Sequence, residues 1–544
     1  MYDAIVVGSG HNALVSACYL ADAGWSVTVL ERDTVPGGAV STVERFPGHR
    51  IDRGSSAHLM VRHTGIVEEL GLDRHGLSYL ECDPWAFAPA PPGDPRPGIV
   101  FHTDLDATCD SIAAACGSKD AAAYRRFVAD WTPLSRRVMA AFGGPPTGTS
   151  LARAFGGLGV PRLLGGQGND AAAIARVFLG TGDGLLDEYF DDERLKAALA
   201  WFGAQSGPPM SEPGTAPMVG FAALMHTLPP GRARGGSGAL AEAMVAKLQA
   251  GGHQVSLGEG VTAIGRRGDD WAVRTAAGRT LTARTVVSGA HVLTTLDLLA
   301  AGDALPAEQV AAYRRRIRLG PGIGMAVRLA GTALPEYPSA PAVDGAGVHA
   351  GLQLLVTDRG QLRTAHGAAL AGQAPPEPAV LAMTFSALDP TLSPEGTEQA
   401  TLWSQWHPYR RADGTDWAAV VEAEADRVLA QVDRYAPGFS DTITDRYLQS
   451  PPELERELGL LGGNIMHVEM SLDQMLPFRP LPELADHRIP GLTGMYLTGA
   501  STHPGGGVSG ASGRTAARTM LADTRGGLLR RLRGAVRTPR REGR

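Results

Sequence analysis

Residues 2–7, Tyr-Asp-Ala-Ile-Val-Val, form a short apolar run that stops at glycine, which predicts a buried strand. An alanine- and leucine-rich stretch at helical spacing follows, and then a second apolar run, Val27-Thr28-Val29-Leu30. The same alternation returns twice. Residues 239–250 predict a helix closed by Gly251 and Gly252, a pair suited to the left-handed turn of a helix C-terminus. Strands are predicted around Val255, at 261–264, in a hairpin holding Trp271-Ala272-Val273, and at 285–290. Near the C-terminus come a strand at 495–500, a glycine-rich turn, and a helix over 509–521. Strand and helix in alternation predict an α/β, Rossmann-like domain assembled from three segments: 1–75, 228–300 and 490–523. Two inserts separate them. Residues 76–227 read as mostly helical, as at 121–141 and 193–202. Residues 301–489 mix predicted strands (324–329, 351–356, 380–386, 401–405) with a long helix at 417–435. Together the inserts predict one α+β substrate domain. A Pro/Gly/Ala stretch at 367–378 predicts an exposed loop, and His467 and Glu469 alternate in a predicted strand, so they share a face.

With 544 residues the chain is too long for one core, consistent with two interleaved domains. It holds only three lysines, Lys119, Lys196 and Lys247. Cys18, Cys82, Cys109 and Cys116 show no metal-type spacing, so no metal is predicted. Free thiols and a strand beginning at residue 2 predict a cytoplasmic protein without a signal peptide. No uncharged apolar run reaches the length of about 18 residues that a membrane span needs. The formal charge is −6, but residues 525–544 carry eight arginines and one glutamate, a net of +7 that leaves −13 for the rest. That balance argues against nucleic-acid binding. The basic tail, 524–544, reads as solvated and is compatible with contact to an anionic membrane surface or an acidic carrier protein.

The first turn carries the most specific chemistry. Gly8-Ser9-Gly10-His11-Asn12-Ala13 lies between a strand and a helix, and Glu31 ends the next strand. Gly8 suits the tight turn, Gly10 lets the backbone approach a diphosphate, and Ala13 permits close helix–strand packing. The helix N-terminus points its free N–H groups at the phosphates, and Glu31 is placed to accept from ribose hydroxyls. This motif alone leaves NAD and FAD open. Gly37-Gly38, six residues past Glu31, resembles the pair found in glutathione-reductase-like FAD enzymes and favours FAD.

Five stretches in order resemble the phytoene desaturase-like flavoproteins, including their pyridine nucleotide-disulfide oxidoreductase domain 2-like branch. They are Gly8–Leu14, Asp52–His58 (Asp-Arg-Gly-Ser-Ser-Ala-His), Ser288–His291, Gly462–Glu469 with Ser471–Gln474, and Gly499–Ala511 followed by Gly513-Arg514. The resemblance covers nearly the whole chain. It implies FAD, with contacts at Gly8, Gly10, His11, Asn12, Ala13, Glu31, Arg32, Gly37, Gly38, Ser55, Ser56, Val261, Gly499, Gly507 and Val508. Val261 corresponds to a backbone position against the adenine, and Gly507 and Val508 to N–H groups facing the pyrimidine edge of the flavin. One departure from the wider superfamily is Ala500-Ser501, where many of its members place an aspartate that this branch often lacks.

The implied reaction removes a hydride and a proton across a C–C bond of a lipophilic isoprenoid, polyene or polyketide-like substrate, free or carrier-tethered. His503 is the leading catalytic candidate, either tuning the ring or taking a proton, with shaping of the turn before Pro504 as the alternative. His58 is the second. Trp403, Trp406 and Tyr409 suit an aromatic substrate wall, with core packing as the alternative for Trp403 and Trp406, and the apolar run 151–164 suits either a lid or core. No second strand–glycine turn–helix unit follows, because Gly320–Gly324 leads into a strand, so no nicotinamide domain is predicted. A flavin amine oxidase, a redox-neutral flavin isomerase and a non-catalytic FAD-binding protein remain as alternatives. Many amine oxidases use a lysine at the flavin, and none of the three lysines lies in a flavin motif.

Overall fold

The computed structural model describes residues 1–155, 171–320 and 322–536. Its first sheet is built from all three predicted segments. The strands Met495–Leu497, Thr280–Ser288, Tyr2–Val7, Val27–Leu30 and Gln254–Ser256 lie side by side and parallel, with Ile5 opposite both Thr28 and Val286. Val261–Arg267 and Asp270–Thr275 extend the sheet as an antiparallel hairpin. Successive side chains point to opposite faces. Ala4, Val6 and Val29 meet the helices His11–Asp22, Ala239–Ala250 and Ala511–Val536, while Ile5, Val7 and Leu30 meet Val292–Ala301 on the other side. Both faces are covered, which is why these strands read as continuous apolar runs rather than alternating ones. The fold is α/β, with a Rossmann-like nucleotide-binding domain.

The C-terminal helix crosses the first helix at van der Waals contact. A Cβ at Gly513 would stand 2.2 Å from the Asn12 carbonyl oxygen, and Ser16 Oγ donates to the Gly513 carbonyl at 2.9 Å. Small size at residue 513 thus brings the two glycine turns, almost 500 residues apart in sequence, to one end of the sheet.

The second sheet also has seven strands, ordered Ile443–Gln449, Gly324–Gly331, Glu398–Gln405, Val380–Met383, Leu352–Leu355, Ala86–Ala88 and Ile99–Phe101. The last two come from the first insert, so both inserts share one sheet. Met325, Val327 and Leu329 pack toward the helix Trp417–Tyr435, and the alternate residues Ala326 and Arg328 face the other way.

Several local expectations need correction. Residues 464–470 form no strand: His467 has φ +67°, and the chain turns there. His467 and Glu469 are not a pair; Glu469 binds Arg318 instead, at 2.7 Å. The helix Arg359–Leu370 takes the first four residues of the predicted 367–378 loop. The C-terminal helix starts two residues later than expected and runs to Val536, so the first part of the basic tail is helical. Of the Gly251-Gly252 pair, Gly252 is the left-handed residue, at φ +79°. The apolar run 151–164 lies from residue 156 onward outside the described residues, as does the tail beyond residue 536.

Candidate functional site

A cavity of about 820 Å³ opens where the two sheets meet. All fifteen residues expected to hold FAD line it. At one end Gly10, with φ −56° and ψ 152°, leads into the first helix. A Cβ built on Gly10 meets nothing within 4 Å, so the backbone here borders open space. The first N–H groups of a helix have no partner within it, and His11, Asn12 and Ala13 bring theirs to this wall. Glu31 is fixed by its neighbours: Oε2 accepts from the Ser9 N–H (2.6 Å) and Ser9 Oγ (2.9 Å), and Oε1 accepts from the Asp33 N–H (2.9 Å). A carboxylate has about four acceptor positions, so a held Glu31 still has capacity for a ribose hydroxyl. In the C-terminal glycine turn, Val508 has φ +54°, a conformation that a β-branched residue rarely adopts and that costs on the order of 1–3 kcal/mol. The strain sits at the turn that feeds the C-terminal helix. The donor set and the open backbone at Gly10 fit a dinucleotide with its diphosphate at the first helix.

The two histidines expected to be catalytic do not line the cavity. His503 is fully buried behind Pro504; its Nε2–H donates to the Ala141 carbonyl at 3.2 Å and its ring meets Phe142 edge-on. His58 bridges Tyr79 Oη and Ser237 Oγ, each at 2.8 Å. Both join structural segments. The imidazoles on the cavity wall are His11, His291 and His467. His291 and His467 stack at 5.2 Å, the His291 Nε2–H donates to the His467 carbonyl, and His467 Nδ1 pairs with Ser501 Oγ at 3.1 Å. Ser501 also receives the Val292 N–H. Ser501 thus anchors this pair.

Arg479 is the largest departure from sequence expectation. It is completely buried, and its guanidinium donates to the carbonyls of Met466, Val468, Glu469, Gln474 and Ala500 at 2.6–3.2 Å. No carboxylate balances it among these contacts, and burial lowers its pKa to about 9. One side chain therefore holds the 466–474 loop to the C-terminal glycine turn.

Beyond the dinucleotide end the wall becomes apolar. Its floor is one face of the second sheet, where strand register sets Ala326 beside Trp403 and Arg328 beside Thr401, with Leu381 and Leu352 further across. Trp403 therefore faces the cavity. Trp406 does not; its Nε1 donates to the Gly207 carbonyl and its ring packs on Trp201, while Tyr409 lies outside the wall.

A model of the flavin-containing amine oxidoreductase family matches residues 14–403. The chain is 32% identical to pyridine nucleotide-disulfide oxidoreductase domain-containing protein 2 of Mus musculus, over 96% of this chain and 94% of that protein. The chain belongs to this flavin-containing oxidoreductase family. Within it, the chain falls with the phytoene desaturase-like proteins: it is 28% identical to a hydroxyneurosporene desaturase of Cereibacter sphaeroides, over 95% of this chain and 97% of that one. An oxidoreductase from Methanosarcina mazei shares the fold, with TM-score 0.61 at 15% identity over 95% and 99% of the two chains. The cofactor of this flavoprotein is FAD. No helix among its described residues is long and apolar enough to cross a membrane.

The buried histidines of the flavoprotein give it an acid-labile fold. Burial lowers His291 and His487 to about 4, and burial followed by the Arg232 charge lowers His58 to about 3. In the unfolded chain each titrates near 6.5. Below that pH the unfolded state binds more protons, so stability is fully present above about pH 6.5 and falls as the pH drops toward 4. Each such histidine contributes up to about 1.4 kcal/mol per pH unit. Thermal unfolding followed from pH 7.5 to 4.5 is expected to show a steep fall in Tm. A flat profile would contradict neutral buried imidazoles.

Proposed function

We propose that this flavoprotein dehydrogenates a C–C bond in a lipophilic substrate with an isoprenoid-, polyene- or polyketide-like chain. The observation that carries the reading is the composition of the cavity wall. Past the dinucleotide end it is mostly Leu, Met, Phe and Trp side chains, with Arg328 as a buried cation among them, and among the described residues the single carboxylate on the wall, Glu31, stands at the nucleotide end. Among those residues a cationic amine would find no counter-charge in the apolar part. The three lysines are elsewhere, paired with Asp191, Asp187 and Asp22.

Bound FAD supplies the two-electron acceptor. The residues around it orient and desolvate. The sheet floor and the methionines Met60 and Met466 exclude water from the chain being oxidised. Gly507 and Val508, on the cavity wall ahead of the C-terminal helix, would hold the flavin ring with their backbone N–H groups, which favour the negative charge a reduced ring carries. The substrate loses one hydride and one proton and gains a C=C bond. Among the described residues, the imidazoles on the wall are His11, His291 and His467; both ring nitrogens of His291 are engaged, by the His467 carbonyl and the Leu293 N–H, which leaves His11 and His467 as the candidates for that proton.

The test is a substrate panel given to air-free holoprotein while the flavin absorbance is followed: isoprenoid hydrocarbons, polyenes, acyl thioesters and amines. Rapid bleaching by a lipophilic chain, with no response to amines, is the expected result. Bleaching by amines alone would replace this reading with the amine oxidase one.

A further inference from the structure

The apolar chamber contains two hydrogen-bond donors that the fold leaves with spare capacity. Arg328 lines it and is 2% exposed. Its guanidinium donates to Gln449 Oε1 (2.9 Å), Thr401 Oγ1 (3.1 Å) and the carbonyls of Arg53 (3.1 Å) and Gly54 (3.2 Å). All four acceptors are neutral. A guanidinium has five N–H vectors, so one remains. The nearby acids are already engaged: Asp52 by Arg232, and Glu457 by Arg45 and Arg53. Burial lowers Arg328 only to about 10, so it stays charged at neutral pH. The second donor is the Trp403 indole N–H, which finds no acceptor among the described residues although the side chain is 8% exposed. Trp403 and Arg328 are diagonal neighbours on one sheet face, because Arg328 pairs with Thr401 and Ala326 with Trp403. Such positions lie about 7–8 Å apart.

A pure hydrocarbon would leave the remaining N–H of Arg328 and the Trp403 N–H without acceptors and the buried charge without a counter-ion, which is unfavourable for both side chains. A carboxylate accepts from both and pairs with the charge. Resting on the dehydrogenase reading above, we propose that the substrate ends in a carboxylate, seated on Arg328 and the Trp403 N–H, with its apolar chain along the sheet floor. The diphosphate of FAD is not the anion meant, since its donors stand on the other sheet, at residues 8–13.

The test compares farnesoic acid, farnesol and farnesene, which share one isoprenoid chain and differ in head group. Binding is read on the oxidised holoprotein as a flavin difference spectrum, without turnover. Farnesoic acid is expected to bind at least about tenfold more tightly than farnesene, with farnesol between them. Arg328→Met should reduce the preference to below about threefold, while FAD affinity stays unchanged. Trp403→Phe keeps an aromatic ring and removes only the N–H; it should lower the preference severalfold, and it serves if Arg328→Met folds poorly. Equal binding of acid and hydrocarbon to the unaltered protein would overturn the proposal. So would an unchanged preference in both variants, or loss of FAD rather than of acid preference in Arg328→Met. Because binding is read before any oxidation, a failure here leaves the dehydrogenase reading to be judged by bleaching alone.

Discussion

Gly10→Val is expected to yield a folded protein that purifies without flavin. The backbone at Gly10, φ −56° and ψ 152°, is one that valine adopts readily, and a Cβ there meets no protein atom within 4 Å. Folding of the empty chain therefore loses nothing. The added branches project into the space that the diphosphate needs at the N-terminus of the first helix, where its charge is met by N–H groups. The expected loss of FAD affinity is about 100-fold or more, on the order of 3 kcal/mol. The flavin-to-protein absorbance ratio of the purified variant measures it, with circular dichroism confirming the fold. A yellow Gly10→Val protein at full stoichiometry would show that the dinucleotide lies elsewhere.

Arg479→Met has the largest expected effect on stability. Five carbonyl oxygens accept from this one guanidinium in a site closed to water. Methionine fills the volume and offers no donor, so each carbonyl keeps its desolvation cost without a hydrogen bond. The loss is expected to be on the order of 4 kcal/mol, at the upper end of single-residue effects. Chemical unfolding of holoprotein and variant measures it. Arg479→Lys keeps the charge but has three donors on a single nitrogen, so it should recover only part of the loss. An unfolding midpoint unchanged in Arg479→Met would contradict a structural role for the buried cation.

The nucleotide-binding half was legible because its signals are local. Gly8 to Ala13 sit between a strand and a helix within a few residues, and Glu31 follows at the end of the next strand, so spacing alone carries the geometry. The chamber was less legible because its floor arises from strand register. Arg328 and Trp403 are 75 residues apart and become neighbours only once Gly324–Gly331 pairs with Glu398–Gln405. A signal did exist: Arg328 is the one charged residue in an otherwise apolar strand, Gly-Met-Ala-Val-Arg-Leu-Ala-Gly. Such a residue is either at an edge or held for a purpose, and this strand is central. Arg479 carried a weaker signal, since its five partners are backbone carbonyls, which no residue pattern reveals. His503 misleads for the opposite reason. It stands in the longest of the five family-like stretches, Gly499–Ala511, yet that stretch turns at Pro504 and sends the imidazole into the helix Ser118–Phe142. Membership of a motif turn locates a residue in the chain; only packing decides which side of the wall it occupies.

The most direct test of the dehydrogenase account is a single anaerobic turnover with the chain compound that bleaches the flavin best. Stoichiometric holoprotein and substrate are mixed without oxygen, and the product is weighed by mass spectrometry. The account predicts one product lighter by two hydrogen atoms, formed in step with loss of the oxidised flavin band. A product of unchanged mass, formed while the flavin stays oxidised, would contradict it and identify an isomerase.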